Sequence, residues 1–271
     1  MNEIIPISYN PVLVVLSYCF AVMGSYIALT GVYKLRTFRE AHTRHRIEKI
    51  IGQPEQRTIV PSSRIYNATL LVAGIAFGGI GVWTMHFIGQ LALNLPLQVN
   101  YAVPETILSL IAAVGSAIWG LSIVARNPYS VPRLMLAGAL LGLGVSAMHY
   151  LGMHSMYFGG FFLWDWSMVL LSMLIAFVAA TAGLWLAFQT NTQQTRILAA
   201  LVMGVAVSAM HYTGMAAAEV VCTTRELLPP HSALRMLDGL HLPVVLICLI
   251  IGAGLAVALD RMYAPHLRES M

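Results

Sequence analysis

Long apolar runs separated by short polar segments dominate the chain. Stretches 11–33, 66–93, 105–125, 134–157, 166–188, 197–218 and 241–259 each approach or exceed the ~20 residues that cross a bilayer as a helix. The pattern predicts an all-α integral membrane bundle of seven transmembrane helices, and an odd number of crossings puts the two termini on opposite sides. A composition of 58% hydrophobic and 10% charged residues fits a lipid-embedded class and no soluble one. The first run has no basic residue before it and is longer than a signal-peptide core, so it is expected to remain as a helix.

Basic residues are unevenly shared between alternate loops. One side receives Lys34, Arg36, Arg39, Arg44, Arg46, Lys49, Arg57, Arg64, Arg126, Arg133, Arg196, Arg261 and Arg268, and the other only Arg225 and Arg235. Because Lys and Arg near spans are retained in the cytoplasm, the N-terminus is expected outside and the C-terminus inside. The net charge of +4 then reflects topology and contact with membrane lipids, and no nucleic-acid partner is expected. Cys19 and Cys248 fall within spans and Cys222 in an outer loop, so no disulfide framework is expected.

Within this pattern one sentence is written three times: Trp83-Thr84-Met85-His86-Phe87-Ile88-Gly89, Ser146-Ala147-Met148-His149-Tyr150-Leu151-Gly152-Met153 and Ser208-Ala209-Met210-His211-Tyr212-Thr213-Gly214-Met215. The copies, at 85–90, 148–153 and 210–215, are 63 and 62 residues apart, which defines an internal two-helix repeat. Spans two, four and six carry the motif and run parallel, spans three and five return the chain, and spans one and seven are expected to brace the outside. The histidines lie seven or eight residues from the outer helix ends, about 10–12 Å into the membrane. Gly79, Gly142 and Gly204 stand seven residues before each His and Gly89, Gly152 and Gly214 three after, so small residues share the imidazole face. Close helix approach along that stripe aims His86, His149 and His211 at one another.

Imidazole inside a membrane is costly unless it is used. Neutral imidazole and thioether together suit copper, chiefly Cu(I), while zinc and axial haem ligation also fit histidine. Met153 and Met215 follow their His by four and share its face. Met85, Met148 and Met210 precede it and project about 100° away, so they are the weaker ligand candidates. Gln90 stands where the other copies have Met, and Trp83 where they have Ser, so the first copy offers one thioether fewer. The competing structural reading makes each His a packing residue that donates a hydrogen bond between helices.

Secondary candidates lie near the outer boundary. His154, five residues after His149, belongs to a neighbouring site or the surface; Glu219 continues the His211 stripe as a cation guide or a span boundary. Glu105 and Asp165 sit where carboxylates favour a helix N-terminus. Trp164, Trp166 and Tyr157 read as an interfacial aromatic belt, and His231 and His241 have no partner spacing.

The triple Met-His-Tyr motif in a seven-span chain resembles the MHYT domain family. Met210-His211-Tyr212-Thr213 matches the signature as written, while the first two copies are variants that keep the Met-His pair. The resemblance covers 11–260 as one membrane domain, with a periplasmic segment 1–10 and a cytoplasmic tail 261–271. It implies a sensor in the bacterial cytoplasmic (inner) membrane that binds copper through Met and His and senses a diatomic gas (oxygen, CO or NO) or redox state. Family members often continue into a GGDEF or EAL output module. No such motif follows span seven, so this chain is expected either to signal through a separate cytoplasmic signalling protein or to be part of a longer one. Two alternatives share these residues: a copper or small-solute transporter, disfavoured by the apolar inner halves of spans two, four and six, and a haem-binding redox protein. No nucleophile–base or acid pair stands out, so no enzyme is expected.

Overall fold

The computed structural model describes residues 3–51, 62–97, 99–223, 236–238 and 251–259. Six helices among them are long and apolar enough to cross a membrane: α1 (Pro11–Ile51), α2 (Ser63–Leu91), α3 (Val103–Arg126), α4 (Val131–His154), α5 (Trp166–Ala187) and α6 (Gln193–Ala216). Residues 251–259 are also helical, and the rest of the expected seventh span lies outside the described residues. So do Arg57, Arg225, Arg235, Arg261, Arg268, His231, His241 and Cys248. Every described Lys and Arg sits at one end of the bundle.

Local chemistry starts the helices where the sequence changes character. Pro104 and Pro132 occupy the first turns of α3 and α4, where a missing N–H costs nothing. The Asp165 carboxylate accepts from the amides of Ser167 and Met168 to cap α5. Thr192 and Thr195 form a reciprocal capping box at α6.

The helices α2, α4 and α6 form an inner triad, and α3, α5 and α1 fill the three outer gaps: α3 between α2 and α4, α5 between α4 and α6, α1 between α6 and α2. Glycine sets these approaches. A Cβ at Gly142 would press on the Phe177 backbone of α5, one at Gly204 on Val22 of α1, and one at Gly78 on the Ala113–Val114 backbone of α3. Span one therefore does more than brace the outside, because it takes the third outer position in a pseudo-threefold ring. The 251–259 segment packs outside that ring, with Leu255 and Leu259 against Met23, Ile27, Val72 and Ala76.

Two expectations change here. In α2, residues Ala76–Thr84 form a π-helix, whose wider turn takes Gly79 off the contact face and puts Gly78 there; no Cβ contact closer than 3.7 Å is met at Gly79. The bundle is also not purely α. Six short strands cap the end carrying the motifs: β1 (Glu3–Ile5), β2 (Asn100–Ala102), β3 (Met156–Tyr157), β4 (Gly160–Trp164), β5 (Ala218–Cys222) and β6 (Met236–Asp238). They pair antiparallel as β1-β5-β4 and β3-β2-β6. The apolar runs continue past the helix ends, so hydropathy alone extends spans four and six to 157 and 218; the helices stop at His154 and Ala216, and the following Phe-rich and Val-rich segments pair as strands.

Candidate metal centre

Each motif ends its helix beneath this cap, which buries the site. Leu93, Met153, Met215 and Ala218 form a small apolar cluster covered by Ile7, Tyr9, Phe162 and Trp164. The N-terminal segment is fastened across it by Asn10 N–H to Ala92 O at 2.7 Å and Asn94 N–H to Ser8 O at 2.9 Å. His86 and His149 are fully buried and His211 is 1% exposed.

The three imidazoles converge. Nδ1 of His86 lies 3.1 Å from Nδ1 of His149 and 3.1 Å from Nδ1 of His211, and the third side of the triangle is 3.3 Å. The rings meet edge to face, with centroids 4.9, 5.0 and 5.2 Å apart. The opposite nitrogens form a pinwheel: Nε2 of His86 faces Gly152 of α4, that of His149 faces Gly214 of α6, and that of His211 faces Gly89 of α2. A Cβ at any of the three would overlap an imidazole, so glycine is a steric requirement of this arrangement. Among the described residues none of the three Nε2 atoms has a hydrogen-bond partner.

Three buried Nδ1 atoms at this separation repel through their lone pairs unless a proton or a cation sits between them. Nitrogens bonded at about 2.0–2.1 Å to one tetrahedral metal stand roughly 3.3–3.4 Å apart, and the observed triangle is within a few tenths of an ångström of that edge. The donor set thus fits a single metal ion capped by three histidines on one side.

The second ring of contacts explains how the first copy departs from the others. Tyr150 OH shares a 2.6 Å hydrogen bond with Ser172 of α5, and Tyr212 OH a 2.9 Å one with Ser17 of α1. The first copy has Phe87 and lacks that hydroxyl. Trp83 replaces it, with its indole N–H donating to Ser109 of α3 at 3.0 Å. Three outer-helix serines are therefore each tied to an inner helix, and Trp83 with Phe87 does the work of Ser with Tyr. Nothing in the linear sequence pairs Ser17 with Ser109 and Ser172, since the outer helices carry no shared motif.

The remaining candidates divide. Met85, Met148 and Met210 are buried in the main helical core, away from the cap cluster that holds Met153 and Met215. Gln90 is buried and donates from Nε2 to Met153 Sδ at 3.4 Å. His154 is exposed at the end of α4 and Glu219 is exposed on β5 opposite Leu163; the chain has left the helix by residue 218, so Glu219 does not extend the His211 stripe. Trp164 packs on Tyr150 at 5.5 Å as part of the cap, whereas Trp166 is 72% exposed. Asp165 is held below the usual carboxylate range by the Ser167 hydroxyl and amide and by the Met168 amide. Cys19 is a free thiol.

Comparison with known proteins agrees with the triple geometry. A family model, MHYT, described as a bacterial signalling protein N terminal repeat, matches three times in succession, over residues 79–137, 142–200 and 204–267. The chain belongs to the MHYT family. Each match begins at the glycine seven residues before its histidine, Gly79, Gly142 or Gly204. Relatives include the bifunctional diguanylate cyclase/cyclic di-GMP phosphodiesterase MucR of Pseudomonas aeruginosa, 38% identical over 78% of this chain and 28% of that protein. The cyclic di-GMP phosphodiesterase NbdA of the same organism is 31% identical over 78% and 24%, and the signaling protein YkoW of Bacillus subtilis 24% identical over 86% and 26%. The chain thus spans about a quarter of the length of these curated relatives. No solved structure matches. A multi-pass membrane domain of a signalling family is the result.

Proposed function

We propose that this MHYT domain is a bacterial inner-membrane sensor, with its strand-capped end in the periplasm, that holds one copper ion on Nδ1 of His86, His149 and His211. The observation that carries this reading is the buried Nδ1 triangle of 3.1, 3.1 and 3.3 Å, whose edges suit one small cation. Met153 and Met215 are the auxiliary ligands, the thioethers packed in the cap above the histidines, and they favour Cu(I) over zinc. Copper, when bound, supplies affinity for oxygen, CO or NO and a change of redox state. An apolar cavity of about 50 Å³, bounded by Val145, Val207 and Met210 one turn from the histidines, supports entry of an uncharged diatomic ligand.

The protein's part is to hold three rings at fixed spacing through the glycine pinwheel. A change of ligation shifts α2, α4 and α6 relative to one another, and the outer helices relay the shift to the basic end. There a cytoplasmic signalling domain or protein receives it, as the signalling names of the relatives support. The domain itself catalyses nothing in this reading.

Copper per chain, together with an absorption spectrum of detergent-purified protein, tests the proposal. About one copper in the wild type and none in the His86→Ala/His149→Ala/His211→Ala variant is expected. Equal copper in both would overturn it, and a Soret band would favour haem instead.

A further inference from the structure

At the basic end, 

α1, α2 and α3 enclose a pocket of about 380 Å³ that the histidine site does not use. Arg36, Arg39 and His42 of α1, Tyr66 of α2 and Arg126 at the end of α3 face it, and Leu35 and Phe188 form an apolar wall. The lining, among the described residues, contains no carboxylate. Arg39 donates to the Ala125 carbonyl at 3.3 Å and Arg36 to Asn191 Oδ1 at 2.8 Å. Each guanidinium has five donor hydrogens, so these bonds leave most of them for another acceptor.

Three guanidinium groups around one cavity repel one another unless an anion joins them, and planar guanidinium matches phosphate geometry. The height of the pocket selects the source of that phosphate. Arg126 is the last residue of α3 and Ser63 the first of α2, so the pocket lies where the apolar spans meet water, at headgroup level. We propose that it binds the phosphate of an anionic phospholipid, with the glycerol and upper acyl carbons against Leu35 and Phe188. A lipid seated there ties α1 to α2, which carries the first motif copy, and to α3.

Native mass spectrometry of the full chain in non-ionic detergent, titrated with phosphatidylglycerol, phosphatidylcholine or inorganic phosphate, tests this. One phosphatidylglycerol should bind well below the concentration at which phosphatidylcholine does. Arg126→Gln should weaken it by about fivefold and Arg39→Gln/Arg126→Gln by more than tenfold. Arg133→Gln, exposed on α4 outside the pocket, should change nothing. Because Arg39 also holds the end of α3, Arg126→Gln alone decides the matter if the double variant fails to fold. Equal retention of the two lipids, or equal loss in Arg126→Gln and Arg133→Gln, would overturn the site. Displacement of phosphatidylglycerol mole for mole by inorganic phosphate would overturn the lipid assignment in favour of a soluble phosphate.

Discussion

Replacing Gly152 with alanine tests the pinwheel with a single methyl group. The added Cβ would overlap Nε2 and the adjacent ring carbons of His86, and restoring van der Waals contact takes a retreat of about 1 Å. The ring cannot advance, because its Nδ1 already stands 3.1 Å from two other nitrogens. The cost therefore falls on the separation of α2 from α4, which opens the His86–His149 edge from 3.1 Å towards about 4 Å. Three nitrogens bonded at about 2.0–2.1 Å to one metal in a trigonal plane stand roughly 3.5–3.6 Å apart, so an edge of about 4 Å breaks the threefold geometry. Gly152→Ala should thus lose about 1–3 kcal/mol of stability and most of its metal, read as thermal unfolding and copper per chain. Gly115→Ala is the control: nothing lies within 4 Å of its added Cβ, and relief of a mid-helix glycine should raise stability by about 0.5–1 kcal/mol. Wild-type copper content in folded Gly152→Ala protein would refute the steric argument.

Other consequences follow from the second ring and the cap. Tyr150→Phe and Tyr212→Phe should each lose about 0.6–1.7 kcal/mol in mixed-micelle unfolding, whereas Ser109→Ala should lose less, because the Trp83 indole keeps the Thr106 carbonyl at 3.3 Å. Gln90→Met removes a buried carbonyl oxygen that has no partner among the described residues. It also supplies the missing thioether, so Cu(I) retention against a chelator should rise without loss of stability. Asp165 has a carboxyl held below its usual range, so its contribution to α5 is present above the unfolded carboxylate pKa and fades as pH falls through the lower folded value. Asp165→Ala should be less stable than wild type at neutral pH, and the two should converge in acid; a constant gap across pH would contradict the capping role.

How much of the site could be read in advance follows from the range of the forces involved. His86, His149 and His211 share a depth and a face because residue count and helical period fix both. The face assignment separates Met153 and Met215 from Met85, Met148 and Met210, and the structure packs the first pair in the cap and the others in the main core. Hydropathy failed at the helix ends. Residues 156–157 and 218–222 are as apolar as the spans before them, but their backbone is paired across strands, and no local property of Val220 or Met156 announces a partner far along the chain. Glu219 was misplaced for the same reason, and Gly79 because the π-helix shifts the phase of α2.

A multi-pass helical membrane protein, a threefold repeat and three histidines at one depth follow from composition, spacing and the period of a helix. Tertiary structure alone decided that α1 completes the outer ring, that Trp83 stands in for a tyrosine hydroxyl, and that each imidazole leans on the glycine of the next helix so that Nδ1 points inward. Those outcomes rest on distances between helices, set by which small residues meet which backbones, and such distances appear only when all six helices pack together.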